Sequence, residues 1–259
     1  LSVKQEGLVE IEPGVPVVEA PDDLTTGLVA YYPFNGNAND ESGNGHDGTV
    51  NGATLIEDRF GSPDDAYAFD GNDQYISIPH SDELNFGPSN LTISFWISAN
   101  VVDKTFYIIG KSHGNNGTQK WAITNNVITE ERGIQFHVNP GNHWVASTNQ
   151  NLPLKTWQHI TVTKTGTRYD IYIDGEHFSN GIGPASNGAG NTAPLTIGSI
   201  EGGGFVDGTI DDVRIYNRAL SEAEVVELYD LEKPETETTP AGPFTEVSAN
   251  VGLQTGGTG

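Results

Sequence analysis

The chain has 259 residues, 35% of them hydrophobic, which is enough apolar material for one large β-domain or two small ones. Its 35 acidic and 12 basic residues give a formal charge of −23, which repels phosphate backbones and anionic membranes, so no nucleic-acid partner is expected. The absence of cysteine excludes disulfides, thiolate metal sites and a cysteine nucleophile. No apolar run reaches the roughly 18 residues that membrane insertion requires.

Residues 1–26 are predicted to form an extended N-terminal arm. Prolines at positions 13, 16 and 21 and several acidic residues discourage a helix, whereas residues 8–11 and 15–18 are apolar enough to pair as short strands. The chain contains no methionine and starts at Leu1, which indicates a processed or trimmed form whose leader is missing.

The loop at residues 34–48 concentrates short oxygen-bearing side chains and glycines. Calcium takes about 6–8 hard oxygen ligands, and glycines let a backbone wrap closely enough to offer its carbonyls. The pattern predicts a calcium loop, while an ordinary polar turn is the alternative because the same residues dominate turns. Oxygens at alternate positions come from Asn35, Asn37 and Asn39, followed by Asp40.

Residues 27–230 form the predicted body, in which short strands are separated by turns rich in Gly, Asn, Asp and Pro. Apolar and polar residues alternate most clearly in residues 91–97, and they alternate again in residues 169–173 before an Asp-Gly turn. Residues 134–138 and 143–146 flank a short loop and predict a hairpin. Many short strands with regular turns predict an antiparallel β-sandwich.

One helix is predicted to close the body. Ser221 and Glu224 fit a capping box, in which the Ser221 side chain accepts from the amide of Glu224 and the Glu224 side chain accepts from the amide of Ser221. The helix is expected to end near Tyr229. Residues 231–259 are predicted to form a Pro/Thr/Gly-rich linker and a C-terminal tail.

Three stretches carry a family resemblance, namely residues 27–45, 68–96 and 208–221. In this order they resemble the LamG-like family of jelly-roll domains, which share the concanavalin A-like sandwich. The resemblance implies the jelly-roll form of this antiparallel β-sandwich. Together with the patterns above, the expected fold is all-β, with one short C-terminal helix and extended N- and C-terminal arms. It also implies a secreted, extracellular or cell-surface location. Because such domains are grafted onto many proteins, function has to be argued from the site.

The same resemblance implies a structural Ca²⁺ between the first loop and the strand around Asp211. In a regular strand Asp211 shares a face with Val213 and Ile215, and a carboxylate at the edge of the core has to be paired or bind a metal. Arg214 has the opposite parity and is a poor partner. The predicted role of the metal is to pin the first strand to the last. The predicted ligands are Asp40 and Asp211, with oxygens from Asn35 and Asn37.

The body shows no cluster of catalytic residues, so an enzyme is not expected. Glycoside hydrolysis needs two carboxyls about 5–9.5 Å apart, and no clustered set of alternating carboxylates supplies them. Exposed tryptophans instead offer faces on which sugars stack. Trp144 beside His143 is the best candidate for such a ligand-binding platform, and Trp121 is the second. Core or hairpin packing is the alternative role for each.

The predicted function is a non-catalytic, calcium-stabilised extracellular module for adhesion, which binds a glycan or a protein surface. The alternative is a structural subunit of a secreted filament or surface layer. Extended arms flank the predicted domain, and an arm can add a strand to another copy of the same chain. Apolar residues that can anchor such arms occur at both ends, around residues 15–18 and 244–253.

Overall fold

The computed structural model of the protein describes residues 23–86, 89–112, 120–127, 132–139, 143–185, 191–200 and 202–234. Within these residues the chain forms two antiparallel sheets that pack face to face, with a single α-helix near the C-terminal end. The predicted antiparallel β-sandwich of the jelly-roll type is confirmed. Residues 1–22 of the predicted N-terminal arm and residues 235–259 of the predicted tail lie outside the described residues.

Fifteen strands are described. In chain order they are β1 Leu28–Tyr32, β2 Thr49–Asn51, β3 Thr54–Ile56, β4 Ala66–Asp70, β5 Tyr75–Ile78, β6 Leu91–Ala99, β7 Phe106–Lys111, β8 Lys120–Asn126, β9 Gly133–Asn139, β10 His143–Ser147, β11 Gln158–Thr165, β12 Arg168–Ile173, β13 Glu176–Ile182, β14 Leu195–Ile197 and β15 Asp207–Tyr216. Sheet A has the order β13-β12-β11-β6-β15-β4-β3, and β1 also pairs with β15. Sheet B has the order β10-β9-β8-β7-β14-β5-β2.

Alternating apolar residues build the core between the two sheets. In β6, the inward residues Leu91, Ile93 and Phe95 are fully buried, as the sequence pattern predicts. Phe136 of β9 and Tyr169 of β12 bring their ring centroids within 5.1 Å, so side chains of sheet B pack directly on those of sheet A. The inner faces of the two sheets therefore form the core, and the outer faces do not contact the opposite sheet.

Both hairpins predicted from the sequence are confirmed. Asp174 and Gly175 have φ angles of 51° and 78°, which suits the tight turn between β12 and β13, since such turns need a positive φ at both central residues. Strands β9 and β10 pair antiparallel, with His143 opposite Val138. The loop that joins these two strands, residues 140–142, lies outside the described part of the chain.

Helix α1 (Glu222–Glu232) covers the outer face of sheet A. Its capping box is present as predicted, with hydrogen bonds in both directions between Ser221 and Glu224. Val225 and Leu228 pack in one cluster with Tyr172 and Tyr216 of the sheet. The helix runs past its predicted end, because the sheet holds Glu232 in its last turn. This helix is too short to cross a membrane.

Candidate functional site

The carboxylate of Asp40 accepts four hydrogen bonds within its own part of the chain. The backbone amides of Tyr31, Ser42 and His46 donate to it at 2.9, 2.9 and 3.0 Å, and the Ser42 hydroxyl donates at 2.9 Å. Burial opposes ionisation of this group, but the amides outweigh burial and lower the pKa of Asp40. All of these donors compete with any metal for the Asp40 oxygens.

The loop at residues 34–48 thus lies along β1 on the side opposite β15. Besides the bond from the Tyr31 amide to Asp40, the amide of Glu41 donates to the Tyr31 carbonyl at 2.8 Å. Ser42 Oγ and Asn44 Nδ2 both donate to the carbonyl of Val29. The loop therefore supplies β1 with the hydrogen bonds that a further strand would otherwise make.

Asn35 and Asn37 are bonded to each other and to the next turn. Asn37 Oδ1 accepts from the amide of Asn39 at 2.7 Å, and Asn37 Nδ2 donates to the carbonyl of Asn35 at 3.2 Å. These contacts are typical of a turn in which asparagine bonds to its own backbone. They correspond to the polar-turn alternative for this sequence.

Asp211 faces away from the core, which corrects the face expected from a regular strand. On β15, Asp211 pairs with Trp96 and Arg214 pairs with Ser94, so the two residues between them on β15 lie opposite one residue on β6 and form a β-bulge. Asp212 occupies the bulge with a φ of 45°. The extra residue reverses the parity, and Asp211 therefore does not share the face of Val213.

Arg59, in the connection between β3 and β4, neutralises the carboxylates at this bulge. Its Nη1 contacts Asp211 Oδ2 at 2.6 Å and its Nη2 contacts Asp212 Oδ2 at 2.7 Å. The Tyr31 hydroxyl donates to Asp212 Oδ1 at 2.8 Å. Burial, together with the negative charge of Asp212, raises the pKa of Asp211, and the positive charge of Arg59 opposes this rise. Arg59 is therefore the positively charged partner that these buried carboxylates require.

The structure gives the two predicted carboxylate ligands of calcium different hydrogen-bond partners, and the calcium site stays a prediction from the sequence. Asp40 accepts a hydrogen bond from the side of β1 that faces the loop. Asp211 is on β15, the strand that pairs with the other side of β1. The oxygens of both carboxylates already accept hydrogen bonds. Among the described residues, no group of three or more His, Asp or Glu side chains could hold a metal ion.

A buried polar network connects this bulge to the end of helix α1. The Trp96 indole donates to Glu232 Oε2 at 2.8 Å, Arg214 forms an ion pair with Glu232, and Arg59 Nε donates to the Glu232 carbonyl at 2.8 Å. His159 lies beside them and is fully buried. Its burial, and then the charges of the two arginines, lower its pKa to about 3. The network is inaccessible and holds the helix on the sheet.

The structure places the three predicted platform residues on two strands, with Trp121 on β8 and His143 and Trp144 on β10. Trp121 is only 1% exposed and packs against Phe136 at 6.2 Å between ring centroids, so it has no free face for a sugar and the prediction for Trp121 is wrong. The reason is that alternation on β8 directs Trp121 into the core. His143 and Trp144 are placed in β10, but their side chains lie outside the described part of the structure.

Four pockets formed by described residues have volumes of about 190 to 320 Å³. Three of them contain one carboxylate each, from Glu83, Glu41 and Asp103 respectively. The fourth contains no charged residue among those that line it. None of the four therefore pairs two carboxyls across a common space, as glycoside hydrolysis requires.

The fourth pocket, here called the sheet B pocket, lies where β5 and β14 are neighbours. Ser77 and Thr196 are directly paired in these strands, and on either side of each the residues are buried in the core. Both side chains consequently belong to the outer face of sheet B. The pocket measures about 190 Å³. Its described hydroxyl-bearing lining residues are Tyr75, Ser77, Ser112, Thr196 and Ser199.

A fixed turn after β14 brings Ser199 back over the sheet. Thr196 Oγ1 donates to the Ser199 carbonyl at 2.6 Å. Gly198 makes the turn with a φ of 89°, and a Cβ there would lie 2.5 Å from the Phe69 ring, so only glycine fits. Ser199 is fully buried, and its hydroxyl has no hydrogen-bond partner among the described residues.

Sequence reasoning finds neither Arg59 nor the sheet B pocket. Arg59 acts at residues more than 150 positions away, and no local pattern reports that contact. Alternation with Ile76 and Ile78 does place Ser77 on an outer face. The neighbouring position of Thr196 depends on strand order, which the sequence pattern does not reveal.

The two-sheet sandwich and its covering helix define a jelly-roll domain of the concanavalin A-like type. Residues 70–226, more than half of the chain, match the family described as the concanavalin A-like lectin/glucanases superfamily. The protein belongs to this family, and the LamG-like resemblance of its sequence is confirmed.

Similar proteins share the fold at low sequence identity. Domain 4 of AbnA, a GH43 extracellular arabinanase from Geobacillus stearothermophilus solved in complex with arabinotriose, is 19% identical with a TM-score of 0.64, covering 78% of this chain and 98% of that one. The binding domain of Paraclostridial Mosquitocidal Protein 1 is 21% identical with a TM-score of 0.64, covering 81% and 53%. Adhesion G-protein coupled receptor V1 of Danio rerio is 24% identical over 149 residues, 55% of this chain and 2% of the receptor.

Proposed function

We propose that the protein is a non-catalytic glycan-binding module that acts outside the cell. The observation that carries this proposal is the sheet B pocket, which offers neutral hydroxyl groups and no carboxylate among the residues described in its lining. Neutral polar groups bind sugars by hydrogen bonding but do not supply the acid and base that cleave a glycosidic bond. The remaining described pockets carry at most one carboxylate each.

The comparisons support the same proposal. One structural neighbour is a domain of an extracellular arabinanase in complex with arabinotriose, and another is the binding domain of a toxin. The weaker match to an adhesion receptor is consistent with a role in adhesion. A glycan on a cell surface or in a polysaccharide matrix is the partner that unites these three observations, and a protein surface is the other partner that a LamG-like module can bind.

A panel of polysaccharides tests this function. The purified chain is incubated with neutral and acidic polysaccharides, and both its retention on them and the release of reducing sugar ends are measured. We expect retention on at least one polysaccharide without release of reducing ends. Cleavage of any member of the panel would contradict a non-catalytic module, and no retention on any member would contradict glycan binding.

Assembly into a filament through the terminal arms stays a prediction from the sequence. The arms lie largely outside the described residues, and the described residues of the loop at 34–48 close the free side of β1 with hydrogen bonds. Strand addition at β1 is thereby disfavoured, because an edge whose backbone groups are already bonded offers a weak template. Glycan binding is the function that the described geometry supports better.

A further inference from the structure

One pocket lies where the loop at residues 34–48 meets β1 and the short 3₁₀ helix Asp82–Leu84. It is here called the Glu83 pocket and measures about 290 Å³, or roughly ten water molecules at ~30 Å³ each. A hexosamine residue has about as many non-hydrogen atoms. Residues 87–88, next to this lining, lie outside the described part of the chain and are a glycine and a proline, which carry no charge. The exposed polar side chains that line the pocket include Asn44, Glu83, Ser89 and Asn217.

Glu83 is held in a fixed position while its carboxylate stays accessible. Its backbone amide donates to the Ser81 hydroxyl at 3.2 Å, and its Oε2 lies 2.9 Å from His46 Nε2. His46 is itself fixed, because its amide donates to Asp40 and its carbonyl accepts from the Tyr32 hydroxyl. The Glu83 side chain is nevertheless 65% exposed, so its carboxylate can contact a ligand.

Asn44 offers a second fixed acceptor at this pocket. Its Nδ2 donates to the carbonyls of Leu28 and Val29 at 3.1 and 2.9 Å. Because the amide nitrogen is used in this way, Oδ1 is the atom that Asn44 can offer to a ligand. The pocket therefore presents a carboxylate and an amide oxygen, and both require a ligand that donates hydrogen bonds.

Charge favours a cationic donor over a neutral or an acidic one. Glu83 contributes a negative charge to the pocket, and the chain as a whole carries −23. Two cations adjoin the lining, but both are engaged: Lys164 is fully buried with its Nζ donating to the Ser89 carbonyl at 2.8 Å, and Arg218 pairs with Glu224 at 2.6 Å. A protonated amine gains charge-assisted hydrogen bonds, about twice as strong as neutral ones, whereas a uronic acid is repelled.

We infer that the Glu83 pocket binds the protonated amino group of an amino sugar, as in a deacetylated glucosamine glycan. Glu83 and Asn44 accept hydrogen bonds from the ammonium group, while Ser89 and Asn217, which both donate and accept, bind the ring hydroxyls. A simple alkyl amine would leave these last two side chains without a ligand partner. The inference goes beyond the proposed function, because it assigns a second site with its own class of ligand, and it rests on that function in taking the ligand to be a glycan.

Two variants and a matched control test the site. Glu83→Gln removes the charge, keeps an acceptor for His46 and is expected to weaken binding of triglucosamine about 10-fold, the value of one hydrogen bond to a charged group. Ser89→Tyr fills the pocket and is expected to abolish binding, while the backbone carbonyl that Lys164 contacts is kept. Glu227→Gln changes the net charge by the same amount at an exposed position of α1 and is expected to bind as the parent chain does.

The main probes are three trimers that share a glucose-type ring and differ at its second carbon. Triglucosamine carries an ammonium group there, triacetylchitotriose a neutral acetamide and cellotriose a hydroxyl. Cadaverine, a simple diamine, tests whether an amine alone is sufficient. Affinity is measured by titration calorimetry at pH 6, where amines with an ordinary pKa of about 8 are protonated. Salt at about 0.15 M screens charges farther than about 8 Å from the ligand.

Thermal unfolding shows whether each variant is folded. Tighter binding of triglucosamine than of the two neutral trimers and cadaverine, weakened in Glu83→Gln and lost in Ser89→Tyr, supports the inference. If Ser89→Tyr does not fold, the Glu83→Gln result decides.

Several results overturn the inference and are distinguishable. Equal weakening in Glu227→Gln shows that overall charge, and not the pocket, attracts the amine. Equal affinity for the neutral trimers refutes the amino class, and equal affinity for cadaverine refutes the sugar. Unchanged affinity in the folded pocket variants places the site elsewhere, and no binding of triglucosamine removes the site. The proposed function falls only if the polysaccharide panel also shows no retention.

Discussion

Arg59 holds two carboxylates where β15 changes partner from β4 to β1. Its guanidinium also lies over the rings of Phe60 and Trp96, at 4.5 and 4.6 Å from the ring centroids, and its side chain is only 2% exposed. Such a cation is difficult to replace, because arginine alone offers several fixed donors together with a flat surface for stacking. The bulge at Asp211 and Asp212 therefore depends on one residue from a distant loop.

Arg59→Met is expected to lower the free energy of unfolding by roughly 3–5 kcal/mol, because it leaves buried carboxylates without a cation. Urea unfolding measures the loss. Arg168→Met is the control, since Arg168 is half exposed and its pair with Asp170 is screened by solvent, so a loss below about 1 kcal/mol is expected. A loss in Arg59→Met as small as the one expected for the control would show that the Arg59 network does not stabilise the fold.

At the scale of elements, the loop at residues 34–48 acts as a side-chain substitute for a strand beside β1. Asp40 accepts the amide of Tyr31, and Ser42 and Asn44 serve the carbonyl of Val29. Sheet edges with unpaired backbone groups attract other chains, so closing this edge protects the molecule from aggregation. The dense Asn/Asp pattern, which predicts calcium from the sequence, has this structural use in the fold.

Asp40→Ala is expected to cost roughly 2–3 kcal/mol, since several partly buried donors lose their acceptor together. Asp47→Ala removes a single bond, to the amide of Asp40 at 2.9 Å, and is expected to cost less. Thermal unfolding is recorded for the parent chain and both variants with calcium and with a chelator. A parent midpoint that falls by several degrees on chelation would support the calcium site predicted from the sequence, and an unchanged midpoint would contradict it.

At the scale of the whole molecule, helix α1 seals the outer face of sheet A over a buried histidine. His159 Nε2 lies 2.6 Å from Ser94 Oγ, and its ring packs against Trp96 and Tyr229. The helix end is fixed by Glu232, which also comes within 3.6 Å of His159 Nε2. Protonation of His159 is therefore linked to the contact between the helix and the sheet.

The pKa of His159 is about 3 in the folded protein, below the ordinary value of 6.5. The unfolded chain takes up this proton first, so the stability contributed by His159 is lost as the pH falls from about 6.5 towards 3, at up to about 1.4 kcal/mol per pH unit. Asp211 acts in the opposite sense, because its raised pKa costs stability as the pH rises above its ordinary value of 3.8. The two effects overlap, and a variant is needed to separate them.

His159→Gln is expected to flatten the acid limb of the stability profile, whatever it does to the absolute stability. Urea unfolding between pH 4 and 7 (about the window between the folded and unfolded pKa values) measures the slope. His177→Gln is the comparison, at a partly exposed histidine of β13 that contacts Asp170, and it shows how far the loss of another histidine changes the slope. An unchanged slope in His159→Gln would contradict the assignment of the acid limb to His159.

The sequence predicts the elements of this fold because their signals are local. Alternation in Leu91–Ala99 requires only that one face of a strand be buried, and the capping box at Ser221 requires only the first turn of its helix. The same logic fails at Asp211, because one inserted residue reverses the parity of everything after it. A bulge is fixed by pairing with the neighbouring strand, and that pairing is not written in the strand's own residues.

By itself the sequence determined the sandwich, its hairpins, its closing helix and the family, since each of these follows from periodicity or from short motifs. Tertiary structure decided what the polar residues do. It paired Asp211 with Arg59, turned Asp40 towards the edge of β1 and buried Trp121. It also placed Ser77 beside Thr196 and Ser199 to form a pocket. The physical reason is that hydrogen bonds and ion pairs act over a few ångströms, so their partners depend on which distant segments the fold brings together.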